Sequence, residues 1–190
     1  MFSPAMMNGG GDGGGPPAAE KKDFGEMINL KNKIDNSECY AKGTHDGFPM
    51  TNLFIGDTRL GCKSDADEQL ILHVAFQEFV KVHSIKFTEF NQGSNPEENP
   101  SKIHIFVNRE NLGFEDCEDV IPDQSLELTA VDLKENADAI LTKYVKFQRI
   151  RSLTFFIEDN AGGEISSIGS LGIFGRHVAA TNMKDYKKSG

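Results

Sequence analysis

The sequence predicts an all-β fold: an antiparallel β-sandwich of jelly-roll type with little helix. Three observations lead there. Seven or eight short segments alternate apolar and polar residues, the period of a half-buried strand. Stretches rich in Gly, Asn, Asp and Pro separate them and supply turns. Long apolar spacing at the helical period is missing, so the alternation has to be buried by packing sheet on sheet.

The elements follow in order. Residues 1–22, "MFSPAMMNGGGDGGGPPAAEKK", are mostly Gly, Pro and Ala with little to bury, and read as a disordered tail. In "FGEMINL", Phe24, Met27, Ile28 and Leu30 have a short helical spacing, enough for two turns. The Asn-, Asp- and Gly-rich stretch up to Phe54 reads as irregular wrapping. "QLILHVAF" then places Leu70, Leu72, Val74 and Phe76 on one strand face and Ile71, His73 and Ala75 on the other. In "FVKVHSIKFTEF" Val80 and Val82 point inward, after which the apolar phase slips by one residue to Ile85 and Phe87. Such a slip marks a bulge or bend.

"SKIHIFVN" aligns Ile103, Ile105 and Val107, and "SLELT" is a short strand. "YVKFQRI" reads as a strand carrying Val145 and Phe147, and "SLTFFIED" as one carrying Leu153, Phe155 and Ile157. In "ISSIGSLGIFGRH" strand residues are interrupted by Gly169, Gly172 and Gly175, which suggests twisting or close backbone approach. Only "TAVDLKENADAIL" is left as a second short helix or a loop.

The 190 residues, 38% hydrophobic, suffice for one domain with tails. A net charge of −9 repels phosphate backbones, and no basic stripe studded with aromatics offsets it, so nucleic acid is disfavoured as a partner. No apolar run is long enough to cross a bilayer and no signal peptide opens the chain, so no membrane partner is expected. Cys39, Cys62 and Cys117 are odd in number and far apart, which fits a reducing compartment, cytoplasm or nucleus. Charge is uneven: ten acids and one lysine lie between Glu110 and Asp138, a block able to steer a partner of opposite sign.

"SDADEQLIL" crowds Asp65, Asp67 and Glu68 into four residues. An EF-hand loop needs further oxygen ligands, a central glycine and a glutamate at its twelfth position; none follows. Paired acids for glycoside chemistry come from different parts of a fold. The reading is a turn, with Ser64 or Asp65 bonding backbone N–H groups at the mouth of a strand. His73, His83 and His104 fall on consecutive predicted strands. Three such imidazoles suit zinc, but wet-face or half-buried histidines are the reading adopted. Nucleophile elbow, P-loop and G-x-G-x-x-G motifs are all missing, so no catalytic residue, metal or cofactor is expected.

Three blocks carry a resemblance: "SDADEQLIL" at 64–72, "KYVKFQRIRSLTFFIEDN" at 143–160 and "ATNMKDYKK" at 180–188. In order and spacing they resemble the PITH domain, the proteasome-interacting domain of a thioredoxin-like protein that also occurs standalone. The likeness implies a PITH domain over 23–188, with 189–190 as a short end, and a galactose-binding-like jelly roll. It implies a non-enzymatic module whose partners are subunits of the proteasome regulatory particle; a monomer is expected. A Gly-rich stretch, not a thioredoxin domain, precedes the likeness, so disulfide reductase activity is not expected. From these blocks the partner-contact residues are Asp65, Asp67 and Glu68, with Asn182, Met183, Lys184 and Asp185. The competing reading is a sandwich that binds a small ligand or carbohydrate, against which stands the lack of any Trp for sugar stacking.

Overall fold

The computed structural model describes residues 27–93 and 95–178; the tail at 1–22 and the block at 180–188 lie outside them. Ten strands run in chain order: β1 (Ile28–Asn29), β2 (Tyr40–Lys42), β3 (Cys62–Lys63), β4 (Leu70–Thr88), β5 (Pro100–Val107), β6 (Gln124–Glu127), β7 (Ile140–Leu141), β8 (Ile150–Asn160), β9 (Ser167–Ile168) and β10 (Ser170–His177). Every pairing among them is antiparallel.

The organising element is β4. "QLILHVAF" and "FVKVHSIKFTEF", read above as separate strands, form one strand of 19 residues. Its first half pairs with β2 and β8, and the sheet continues through β5 to β6. Its second half pairs with β10 and β7, and β10 leads to β1. A short ribbon of β3 and β9 stands apart.

One contact shows that β4 bends back on itself. Leu72 sits opposite Phe155 in register, yet the Phe87 ring meets Phe155 edge-on at 5.5 Å. In a straight strand, residues 72 and 87 would lie about 50 Å apart. The two halves of β4 therefore face each other as layers of a sandwich. The bend has two visible causes. Against β8 the register breaks between Ala75 and Val80. Against β10, Phe174 pairs with Ser84 and Gly175 with Val82, leaving His83 as the extra residue of a bulge. That is where the apolar phase slips, as the sequence predicts. Gly175 is required at this bulge because a Cβ there would run into the Lys81 carbonyl.

The core lies between the halves. Leu70, Leu72, Val74, Phe76, Val80, Val82, Ile85 and Phe87 from β4 meet Ile103 and Ile105 from β5, and Leu153, Phe155 and Ile157 from β8. A second, smaller core covers the outer face of the first sheet. Ile71, Phe106 and Phe156 are buried there beneath Leu112 and Cys117, the latter on helix α1 (Phe114–Asp119). The Phe114 ring closes edge-on over Phe156 at 6.1 Å.

Two local readings need correction, at "YVKF" and "FGEMINL"; the helix-or-loop alternative at "TAVDLKENADAIL" resolves as turns and a short strand, and the α-helix forms where none is expected. "YVKF" is a 3-10 turn, not a strand: Phe147 is fully buried while Val145 is 85% exposed. "TAVDLKENADAIL" forms no α-helix; Asp132 accepts from the Thr129 N–H and hydroxyl in a turn, Leu133 is buried, and Ile140–Leu141 pair with β4. The α-helix instead forms in the acidic "FEDCED", where the Asp116 carboxylate accepts from the Gly113 N–H at 2.8 Å and its charge faces the helix N-terminus. Of "FGEMINL", the described residues give strand β1 and a 3-10 turn from Leu30 to Lys33, with the Asn29 side chain accepting from the Lys31 N–H.

Candidate functional site

The acidic triplet occupies the turn between β3 and β4. The Asp67 carboxylate accepts from the Gln69 N–H at 2.9 Å, a local Asx turn that aims the chain into β4. The local bond thus belongs to Asp67, whereas Ser64 or Asp65 was expected to make it. Buried Ser64 makes a longer-range connection: its N–H donates to the Ser166 carbonyl and its hydroxyl accepts from the Ser166 N–H at 2.8 Å. The Ser166 hydroxyl then donates to the Glu68 carbonyl at 2.6 Å. This staple joins the entry to β4 with the entry to β9. Asp65 and Asp67 are exposed and Glu68 is half-buried. Asn182, Met183, Lys184 and Asp185 lie outside the described residues.

The histidines do not converge. His73 and His83 share β4 rather than lying on consecutive strands, and His104 stands on β5. The His104 ring bonds Ser125 through Nδ1 at 2.6 Å and Glu158 through Nε2 at 2.7 Å. The Nδ1 of His73 bonds Thr154, and that of His83 bonds Ser84. Among the described residues no three His, Cys, Asp or Glu side chains are placed to hold a metal ion. Burial pushes the Cys62 thiol up to about 12 and the Cys117 thiol up to about 11, and it also raises Cys39. None of these is poised as a thiolate.

Among the described residues, one concavity lies against each half of β4. The first is an apolar groove of about 210 Å³ on the second half, lined by Met27, Val82, His83, Leu141 and Tyr144, with Lys81 beside them. Leu141 is 65% exposed and Tyr144 66%, and Val145 next to them is bare. Large apolar side chains gathered in this way mark a contact surface more often than isolated ones do. The sequence reading missed it by placing Val145 on a strand face; the adjacent pair Tyr144–Val145 breaks strict alternation and is the signal available.

The second concavity is a polar cleft of about 530 Å³ beside the first half of β4. Tyr40 from β2, His73 from β4, Glu110 from the loop after β5 and Arg151 from β8 line it. The Tyr40 and His73 rings stack 4.5 Å apart at 11°. The Tyr40 hydroxyl accepts from the Asn111 N–H at 2.7 Å, and burial raises the phenol above its usual range. His73 is 2% exposed, and its burial lowers the imidazole below its ordinary value, so the ring is neutral.

Comparison with known proteins gives a consistent picture. The PITH domain family model matches residues 20–190. "Thioredoxin-like protein 1" of Schizosaccharomyces pombe is 32% identical over 164 residues, covering 85% of this chain and 56% of the relative. A PITH domain-containing protein of Drosophila melanogaster is 30% identical over 164 residues, covering 83% of this chain and 74% of the relative. The chain therefore spans little more than half the length of the yeast relative. Among solved structures, the CBM32-1 and CBM32-2 domains of Clostridium perfringens ZmpB in complex with GalNAc superpose at TM-score 0.58 with 13% identity, over 80% of this chain and 36% of that one. The family 32 CBM of C. perfringens NanJ in complex with galactose superposes at TM-score 0.54 with 12% identity, over 78% of this chain and 99% of that one. At such identity the likeness is one of fold: a galactose-binding-like β-sandwich.

Proposed function

Because this chain belongs to the PITH domain family, we propose that it works as a protein-interaction module that associates with the regulatory particle of the proteasome, in the cytoplasm and nucleus. The observation that carries the reading is the family match across residues 20–190. The apolar groove adds support, since Leu141, Tyr144 and Val145 are exposed side chains of the kind that anchor a protein contact. Charge fits as a steering element: Glu115 and Asp116 open α1 within the acidic 110–138 block.

The test is affinity capture from native lysate with the whole chain as bait, read by mass spectrometry at low and at high salt. Regulatory-particle subunits are expected with the natural chain and are expected to weaken as salt rises. The double variant Tyr144→Ser with Val145→Asp is expected to lose them while melting at the same temperature. Recovery of no such subunit at low salt would sink the proposal. The carbohydrate reading gains nothing from the side chains: the chain has no Trp, and the Tyr40 ring in the cleft is already covered by His73.

A further inference from the structure

The apolar groove against the second half of β4 has a charge opposite to that of the chain. The sequence carries 29 acidic and 20 basic residues, and the polar cleft is lined by Asp35, Glu38 and Glu110. Among the described residues no carboxylate lines the groove, where Lys81, His83 and Arg176 stand around the apolar side chains. The Lys81 ammonium has no ion-pair or hydrogen-bond partner among the described residues, nor has that of Lys143, next to Tyr144. Other lysines reach an acid: Lys33 meets Glu78 at 2.7 Å, Lys102 meets Glu158 at 2.9 Å and Lys134 meets Glu89 at 2.7 Å. Glu78, near the end of β10, is taken by Lys33 and His177. Beyond Val145, Lys146 lies 3.9 Å from Asp123, at the limit of an ion pair. In a chain of net charge −9, an apolar groove with unpaired cations and no acid is a local reversal of the field.

The sheet sets the size of the groove. Asn29 of β1, Phe174 of β10, Ser84 of β4 and Leu141 of β7 stand in one cross-strand row, and Met27 precedes β1 at the far side from Leu141. Three strand spacings of about 4.8 Å separate β1 from β7, so the groove is roughly 14 Å across, the length of about four extended residues. Gly175, at the bulge between them, gives the floor no side chain. Met27 is 43% exposed, so apolar area is open at both rims. We propose that the groove takes an acidic amphipathic segment of a partner protein, whose carboxylates meet Lys81 and Lys143 while its large apolar side chains lie against Leu141 and Tyr144. Charge selects this occupant. The chain's own end beyond Val178, "AATNMKDYKKSG", holds three lysines and one acid, so the cations of the groove repel it. The inference rests on the reading of the chain as an interaction module and names the chemistry of the partner.

The experiment is a ¹H–¹⁵N titration of the whole labelled chain with three capped hexapeptides. These are Asp-Leu-Asp-Phe-Glu-Leu, its basic twin Lys-Leu-Lys-Phe-Lys-Leu, and the polar acid Asp-Ser-Glu-Ser-Glu-Ser. The first is expected to shift the amides of Lys81, His83, Leu141 and Tyr144 and to bind about tenfold tighter than either control. The double variant Lys81→Glu with Lys143→Glu removes no side-chain hydrogen bond. It is expected to keep the melting temperature and to weaken the first peptide roughly tenfold. The inference is overturned if the basic twin or the polar acid binds as tightly, if the shifts fall outside the groove, or if the double variant binds unchanged. It is also overturned if the same amides shift with protein concentration alone, which assigns the groove to a second copy. A response to phosphatidylglycerol vesicles and to no peptide overturns it too, in favour of a lipid surface. Capture from lysate separates it from the proteasome reading. Regulatory-particle subunits retained by Lys81→Glu with Lys143→Glu, yet lost by Tyr144→Ser with Val145→Asp, overturn this inference alone. Peptide binding with no such subunit captured overturns the proteasome reading alone.

Discussion

Thr154→Val tests the hydrogen-bond relay behind the cleft. Thr154 is fully buried on β8, and valine replaces the hydroxyl with a methyl of nearly the same volume, so no cavity opens. What is lost is the acceptor for His73 Nδ1–H at 2.8 Å and the donor to the Arg109 carbonyl at 3.1 Å. Arg109 sits in an exposed loop, where water can replace the donor. The buried imidazole N–H has no such recourse, and orphaning it costs about 1–3 kcal/mol. For a domain of this size that is a melting-temperature loss of about 2–12 °C. Urea denaturation followed by circular dichroism gives the free energy directly, with the slope unchanged. A double-mutant cycle with His73→Phe assigns it: once the imidazole is gone, Thr154→Val should cost about 1 kcal/mol less. Stability within about 0.5 kcal/mol of the natural chain, together with an additive cycle, would refute the relay.

Other outcomes follow from the same geometry. Asp67→Ala removes the acceptor of the Gln69 N–H and is expected to cost about 0.5–1.5 kcal/mol, whereas Asp65→Ala is expected to stay within about 0.5 kcal/mol; equal effects in urea melts would contradict the turn assignment. Cys62 and Cys117, with thiols pushed up to about 12 and about 11, are expected to resist iodoacetamide at pH 8 in the native chain and to react in urea, as read by mass spectrometry. The Lys102 ammonium beside Glu158 holds its carboxyl below the ordinary 4.5, with His104 assisting. That stabilisation is complete above pH 4.5 and is lost as pH falls through the folded value. His73 adds a loss of its own: below its ordinary 6.5 the unfolded chain takes a proton that the folded ring refuses, so stability declines from pH 6.5 downward. His73→Phe should remove the upper part of that decline and Glu158→Gln the lower part; melts that are flat between pH 7 and 5 would contradict the first, and melts of the two chains that stay parallel from pH 4.5 downward would contradict the second.

Much of the fold was legible where burial is one-sided. Ile103 and Ile105, Leu126, and Leu153, Phe155 and Ile157 all point inward as alternation requires. The slip from Val82 to Ile85 marked a real bulge. Alternation fails where both faces are covered. Ile71 falls on the face opposite the main core, and Phe106 and Phe156 received no face at all, because nothing local in their strands announces that the 112–120 segment with its helix will cap that side. The same blindness hid the cleft: Tyr40, His73, Glu110 and Arg151 are brought together by the sheet order β2-β4-β8 and by the loop after β5, and period alone does not give strand order. The acidic turn was legible as a turn, but the Ser64–Ser166 bond spans 102 residues and has no local trace.

The bulge on β4 is what lets one strand serve both surfaces. Its first half places His73 in the cleft, and its second half places Lys81, Val82 and His83 in the groove. Side chains alternate with period two, so a one-residue bulge moves the inward-facing set from one parity to the other. Here the extra residue is His83: even-numbered positions are buried up to Val82, odd-numbered ones from Ile85. Were residues 82–87 to run as a regular strand, with His83 paired rather than bulged, Ile85 and Phe87 would turn outward, and the edge-on contact of Phe87 with Phe155 that closes the two layers would be lost. The bulge also leaves the His83 carbonyl to accept from the Thr142 N–H and hydroxyl, which seats β7 and with it the exposed Leu141. The irregular residue in the sheet is therefore tied both to core closure and to the groove proposed to meet a partner.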